Sequence, residues 1–278
     1  MKRLYISDLD GTLLNSNARL TDNTAEIINE LSGSGLAFTF ATARTAASAV
    51  QITQKMMLSL PCILMNGVSI YDINAKKYIK NEYIKRSVAL AVEEIFLKNN
   101  LQPYMYKIEN EELYAVYTGF SNNEMFEFYK IRKDRYDKPF IKCNMLSEQT
   151  ENSTVYFTIL DSHDRLLPVK NEIEKISDVK FEFYKDVYHE NLWFLEIFSC
   201  NASKFNATCF LKKHGGFDHI TGFGDNLNDL PLFNACDRKI AVENARDKIK
   251  EIADIVIGNN DSDAVALWLK ENFLNERI

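Results

Sequence analysis

The chain has 278 residues, 46% hydrophobic and 26% charged, the balance of a globular protein with room for one large domain or two modest ones. Its formal charge of −6 argues against a nucleic-acid backbone as the main partner, and no apolar run reaches the ~20 residues of a membrane span. The basic start Met1-Lys2-Arg3 leads into an apolar stretch that breaks at Asp8, short of a secretory leader core, so a cytoplasmic protein is expected.

Leu4-Tyr5-Ile6 predicts a short buried strand, followed by Asp8, Asp10 and Gly11. Residues i and i+2 of a strand share a side, so the two carboxylates are expected close together. Such a pair calls for a hard cation, a shared proton, or both. Thr21 or Asp22 caps a helix carrying Ala25, Ile28 and Leu31, which Gly33 and Gly35 end. Leu36–Ala41 reads as a second buried strand, ending at Thr42. A helix is predicted over about 45–58, a third strand over Pro61–Met65 ending at Asn66-Gly67, and a small hairpin over Val68–Ile79. Near-continuous apolar strands alternating with helices imply a parallel sheet covered on both faces. Ligands of such sheets bind beyond the carboxyl ends of the strands, where these polar residues collect.

The pattern changes near residue 83. An amphipathic helix over Ser87–Lys98 presents Val88, Ala91, Val92, Ile95 and Phe96. A hairpin (103–106 with 113–117), a helix (about 121–135), a strand (154–160), a helix (about 162–176) and two strands (181–184, 193–198) follow. This α+β stretch reads as an inserted domain. Tyr104, Tyr106, Tyr114, Tyr117 and Tyr156 fit either a substrate pocket or, as the preferred reading, the packed face of the inserted sheet. The first pattern resumes with a helix from Ser203-Lys204. A strand (219–224) then runs into Asp225-Asn226-Leu227-Asn228-Asp229, and further strands and helices reach Phe273.

Taken singly, Asp8/Asp10, Thr42 and Lys204 also fit a turn, a helix cap and a solvated lysine. The cluster Asp225/Asn228/Asp229 at a strand end is more specific. Together they suit phosphoryl transfer, which needs charge neutralisation and in-line placement. Carboxylates of Asp8 and Asp225, with the Asp10 carbonyl, suit Mg2+. Asp8 is the candidate nucleophile, and Asp10 the candidate proton donor and acceptor. Lys204 and Thr42 are placed to hold phosphate oxygens. Cys62, Cys143, Cys200, Cys209 and Cys236 form no CxxC pair and the four histidines lack ligand spacing, so none is assigned a metal.

The order Asp-x-Asp-Gly-Thr-Leu-Leu, Ala-Thr-Ala-Arg, Ser-Lys, Gly-Asp-x-x-Asn-Asp resembles the haloacid dehalogenase superfamily, and within it the Cof-type phosphatases with a C2B cap. Asn66-Gly67, Leu195-Glu196-Ile197, Val242-Glu243-Asn244-Ala245 and Ala253-Asp254 fit the same family. The resemblance implies a Rossmann-like parallel-sheet core in two parts (1–82 and 199–278) around an inserted α+β cap (83–198). It implies Asp8 as nucleophile and magnesium ligand, and Asp10 as general acid/base and carbonyl ligand. Asp225 is then a magnesium ligand, with Asp229 supporting the metal. Thr42, Lys204, Asn228 and the amides of Leu9 and Ala43 contact phosphate. The family's usual glycine is Ala43 here, its Met-Gly-Asn-Ala is Val242-Glu243-Asn244-Ala245, and its Asp-Gly-Val is Asp263-Ala264-Val265. These departures touch turns around the site. The expected partner is a small phosphorylated metabolite (a sugar phosphate, a nucleotide-like compound or pyridoxal phosphate), with no nucleic acid or membrane. The expected assembly is a monomer or homodimer. A phosphomutase on the same scaffold and a non-catalytic phosphometabolite-binding regulator are the rival readings.

Overall fold

Residues 1–136, 138–186, 189 and 191–273 are described by a computed structural model. The chain divides into two units, Met1–Lys80 with Ser203–Ile278, and Asn81–Ala202. Those breaks lie a few residues outside the 83–198 of the sequence reading.

The first unit opens with β1 (Arg3–Ser7), α1 (Asp22–Gly33), β2 (Phe38–Phe40), α2 (Ala46–Thr53), β3 (Cys62–Leu64), β4 (Ser69–Asp72) and β5 (Lys77–Asn81). Leu4, Tyr5 and Ile6 are fully buried, as a strand covered on both faces requires. Thr21 caps α1 by accepting the Thr24 amide at 3.0 Å. The α2 helix stops well before residue 58. Asn29 of α1 donates to the Lys55 carbonyl and accepts the Met57 amide, which draws the chain off the helix axis.

The inserted unit holds α3 (Arg86–Lys98), β6 (Tyr104–Glu109), β7 (Glu112–Tyr117), α4 (Asn123–Tyr136), β8 (Phe140–Lys142), β9 (Thr154–Asp161), α5 (His163–Ile173), β10 (Val179–Lys185) and β11 (Trp193–Ser199). Its sheet runs β10-β11-β9-β6-β7-β8 and is antiparallel except for the β7/β8 pair. The buried face of α3 is Ala89, Val92, Glu93 and Phe96, rotated from the expected one, and Ala91 is exposed. Glu93 turns inward because its carboxylate accepts the Ser147 amide at 3.0 Å. Tyr104, Tyr106 and Tyr156 are buried in sheet packing, Tyr104 stacked on Phe128 and Tyr156 on Phe198. The three-residue β8 is too short to show an alternating pattern in the sequence.

The first unit resumes with α6 (Lys204–Gly215), β12 (His219–Gly224), α7 (Leu230–Ala235), β13 (Arg238–Val242), α8 (Asp247–Ile252), β14 (Ile255–Ile257) and α9 (Ala264–Asn272). Among the described residues the parallel sheet runs β14-β13-β12-β1-β2. The third strand differs from expectation. Among the described residues it joins that sheet through the Ala41–Ile63 bridge, and its other edge pairs antiparallel with β4. The hairpin that follows it directly occupies that edge.

Asp263, where the family pattern carries glycine at the next position, sits at φ 56° before α9. It accepts hydrogen bonds from Thr21 and Thr24 hydroxyls and the Asn23 amide, tying α9 to the start of α1. Partial burial pushes its carboxyl up, but the three donors outweigh burial and hold it below the ordinary aspartate value. Its stabilising contribution is therefore present above the unfolded value of about 4 and lost as pH falls through the lower folded value. Asp263→Ala is expected to cost about 1–3 kcal/mol near neutrality. In urea titrations, the gap from wild type should close as the buffer is taken below pH ~4.

Candidate active site

Asp8 follows β1, and its amide donates to the Phe223 carbonyl of β12 at 3.0 Å. That bond seats its carboxylate between two central strands. Lys204, the first residue of α6, is 1% exposed and reaches the same place. Its Nζ donates to Asp8 Oδ1 at 2.6 Å and to Asp229 Oδ1 at 2.7 Å. Asp229 ends the 3-10 turn Leu227–Asp229, and its Oδ2 accepts the amides of Asp225 and Asn226 at 3.0 and 3.1 Å. Asp225 in turn accepts the Thr12 hydroxyl at 2.9 Å. Asp8, Asp225 and Asp229 bring one carboxylate oxygen each within 4.8 Å of the others.

The electrostatics follow from this count of charges. Burial, then the Asp229 charge, raises the Asp8 carboxyl well above its ordinary value, and Lys204 only partly opposes them. Burial and Asp229 likewise raise Asp225, to about 6. Burial alone would lower Lys204, but the charges of Asp229 and Asp8 reverse the sign and raise it. One ammonium cannot neutralise three crowded carboxylates. A hard divalent cation fits that surplus, and the donors are oxygens, as Mg2+ prefers. Asp8 and Asp225 have oxygens left for it. Both oxygens of Asp229 already accept protein donors, which suits a supporting role.

Asp10 is not one of those three carboxylates, although its charge adds to what raises Asp225. β1 ends at Ser7 and the backbone turns at Gly11 (φ 77°), so the two-residue alternation of a strand no longer holds from Asp8 to Asp10. Asp10 pairs with Arg44, whose Nε and Nη2 donate to its two oxygens at 2.7 and 2.5 Å. Gly11 is required here, since a Cβ would lie 2.5 Å from Asp225 Oδ2.

Thr42 is buried just past β2, and its hydroxyl accepts the Arg44 amide at 3.1 Å. Ala43, in the family's glycine position, stays out of the left-handed region, so that position demands no glycine. Leu9 is buried, and Asn228 is half-buried on the turn before Asp229. Asn66 is left-handed at φ 54°, its amide donates to the Thr42 carbonyl at 3.0 Å, and its buried Oδ1 has no partner among the described residues. Gly67 packs on the start of α6, where a Cβ would lie 2.2 Å from the Ser203 carbonyl.

The sequence reading gave no role to Arg44, Thr12 or Asn244. Arg44 and Thr12 lie inside the motifs that carried the resemblance, yet only their contacts with Asp10 and Asp225 mark them. Asn244 donates to the Gly11 carbonyl at 2.7 Å and accepts the Asn260 amide at 3.0 Å, and Asn260 donates to the Leu14 carbonyl. The pair holds both ends of the turn after Asp10.

Residues 5–269 match the family model described as haloacid dehalogenase-like hydrolase. Pyridoxal phosphate phosphatase YbhA of Escherichia coli is 23% identical, over 98% of this chain and 99% of that protein. The 5-amino-6-(5-phospho-D-ribitylamino)uracil phosphatase YwtE of Bacillus subtilis is also 23% identical, over 95% and 96%. The crystal structure of TM0651 from Thermotoga maritima is 29% identical, covers 98% of this chain and 97% of its own, and superposes with a TM-score of 0.80.

Removing the ammonium alone would leave Asp8 and Asp229 buried without a counter-charge. Lys204→Met is therefore expected to lower the unfolding free energy by about 3–5 kcal/mol at neutral pH. The urea midpoint reads this directly, and a midpoint equal to wild type would mean the pair is not buried as described.

Proposed function

The chain belongs to the haloacid dehalogenase-like hydrolases and is a phosphoester hydrolase, and from that premise we propose that it is a Mg2+-dependent phosphatase working through an aspartyl-phosphate on Asp8. The observation that carries this reading is the buried Lys204 ammonium, which holds Asp8 at 2.6 Å inside a carboxylate cluster.

Each residue takes a role suited to its surroundings. Asp8 attacks phosphorus while Lys204 fixes its carboxylate and offsets charge on the transferring group. Thr42, Asn228 and the amides of Leu9 and Ala43 hold phosphate oxygens. Asp10 gives a proton to the leaving oxygen and later takes one from the attacking water. Asp8, the Asp10 carbonyl and Asp225 would hold Mg2+, with Asp229 behind them. When bound, the ion supplies charge neutralisation at the phosphoryl oxygens.

The substrate is a small phosphorylated metabolite. YbhA and YwtE are named for chemically different substrates at the same 23% identity to this chain, so overall similarity does not choose between them. Residues 83–198 serve as the cap that reads the leaving group and keeps water out. Among the described residues no helix is long and apolar enough to cross a membrane. A cytoplasmic location belongs to the same reading.

With an aryl phosphate as substrate, phosphate release should require Mg2+ and stop on chelation. Asp8→Asn should abolish turnover with the circular dichroism spectrum unchanged. Asp10→Asn should lose about 10²–10⁴-fold in kcat. Turnover retained by Asp8→Asn would remove the nucleophile assignment, and metal-independent release would remove the Mg2+ assignment.

A further inference from the structure

The Asp10–Arg44 ion pair conflicts with the work assigned to Asp10. Both oxygens of that carboxylate accept from one guanidinium, and the fork fixes the carboxylate's plane. A group held this way is not aimed at a leaving-group oxygen. The pair is also the accessible one at the site, with side-chain exposures of 21% for Arg44 and 47% for Asp10. The Lys204–Asp8 pair, at 1% and 6%, is closed off.

The backbone of Arg44 is anchored while its side chain reaches outward. Its amide donates to the Thr42 hydroxyl, and its carbonyl accepts the Met65 amide at 3.1 Å. The guanidinium is therefore tethered two residues from Thr42, at the same strand-end edge as Asp8. Being more exposed than the Lys204 ammonium, it is open to an arriving anion.

We propose that Arg44 exchanges partners: it holds Asp10 while the site is empty of anion, and moves to the phosphoryl group when a phosphate ester arrives, freeing Asp10. This rests on the phosphatase reading above. A solvent-exposed ion pair is weak and screened by salt. A phosphate dianion carries twice the charge of a carboxylate and offers the same two-point geometry to the guanidinium fork. The exchange therefore runs toward the phosphate. It also couples substrate arrival to the release of the proton carrier, so Asp10 is restrained when there is nothing to protonate.

Competition for one cation makes Asp10 and the anion linked ligands of Arg44, and linkage is reciprocal. The test is the affinity for inorganic phosphate, by titration calorimetry with Mg2+ present, for wild type, Asp10→Asn, Arg44→Ala and the double variant. Asp10→Asn should tighten phosphate about five- to tenfold, Arg44→Ala should weaken it by a similar factor, and in the Arg44→Ala background Asp10→Asn should change it less than twofold. Arg44→Lys keeps the charge without the fork and should give an intermediate coupling, which guards against misfolding of the alanine variant. Equal tightening by Asp10→Asn with and without Arg44 would overturn the proposal, because Asp10 would then act only as a nearby negative charge. Unchanged phosphate affinity in Arg44→Ala would overturn it as well. Ester hydrolysis without this coupling keeps the phosphatase reading and removes the exchange, whereas coupling without hydrolysis of any ester does the reverse.

Discussion

The Lys204 ammonium lies between Asp8 and Asp229 at 2.6 and 2.7 Å, and the rest of the site is arranged around that contact. A buried lysine is tolerated only when its charge is met, and buried carboxylates only when theirs is. Here each condition satisfies the other. Because Asp8 and Lys204 are 196 residues apart, the contact also fixes how the two halves of the first unit come together. β1 pairs with β12 along its whole length, which brings the Asp8 and Asp225 strand ends side by side. Gly67 lets the β3 turn close onto the Ser203 carbonyl, so the start of α6 is held from a second side.

Where charge is concentrated, its supports are backbone dipoles and short side chains. Asp229 takes two amides from its own turn as well as the ammonium. The Asn244–Asn260 pair grips the carbonyls of Gly11 and Leu14 at the two ends of the turn after Asp10. The Arg246 amide takes the Asp225 carbonyl at 2.8 Å. The loop after β13 thus touches both the Asp10 turn and the Asp225 strand end. It is a brace for the edge on which the chemistry is proposed, built from residues that carry no charge at the contact.

Much of this was legible in the sequence, and for physical reasons. Short, largely apolar runs such as Leu4-Tyr5-Ile6 and Leu36–Ala41, alternating with helical patterns, suit strands buried on both faces, and polar residues at their ends then define one edge. Of the two cap candidates for α1, Thr21 holds an amide three residues on, and Ser203 does the same for α6. What sequence alone missed depends on partners distant in the chain. α2 stops early where Asn29 binds the Lys55 carbonyl and the Met57 amide just past its end, and α3 rotates because Glu93 finds the Ser147 amide. β3 meets the parallel sheet at the Ala41–Ile63 bridge and gives its other edge to β4, although its composition suits either partner. The pairing of Asp10 with Arg44 was equally invisible. The two-residue alternation that would set Asp10 beside Asp8 fails once the strand has ended, and nothing local marks where it ends.

That last difference sets the acidic residues in different surroundings. Asp8 and Asp225 share one crowded set of carboxylates, in which burial and the Asp229 charge raise both carboxyls. They are suited to a cation and an anionic substrate arriving together. Asp10 is half-exposed and matched by its own guanidinium, and its charge adds to those that raise Asp225. Two aspartates only two residues apart thus meet different surroundings, Asp8 a buried ammonium and Asp10 an accessible guanidinium.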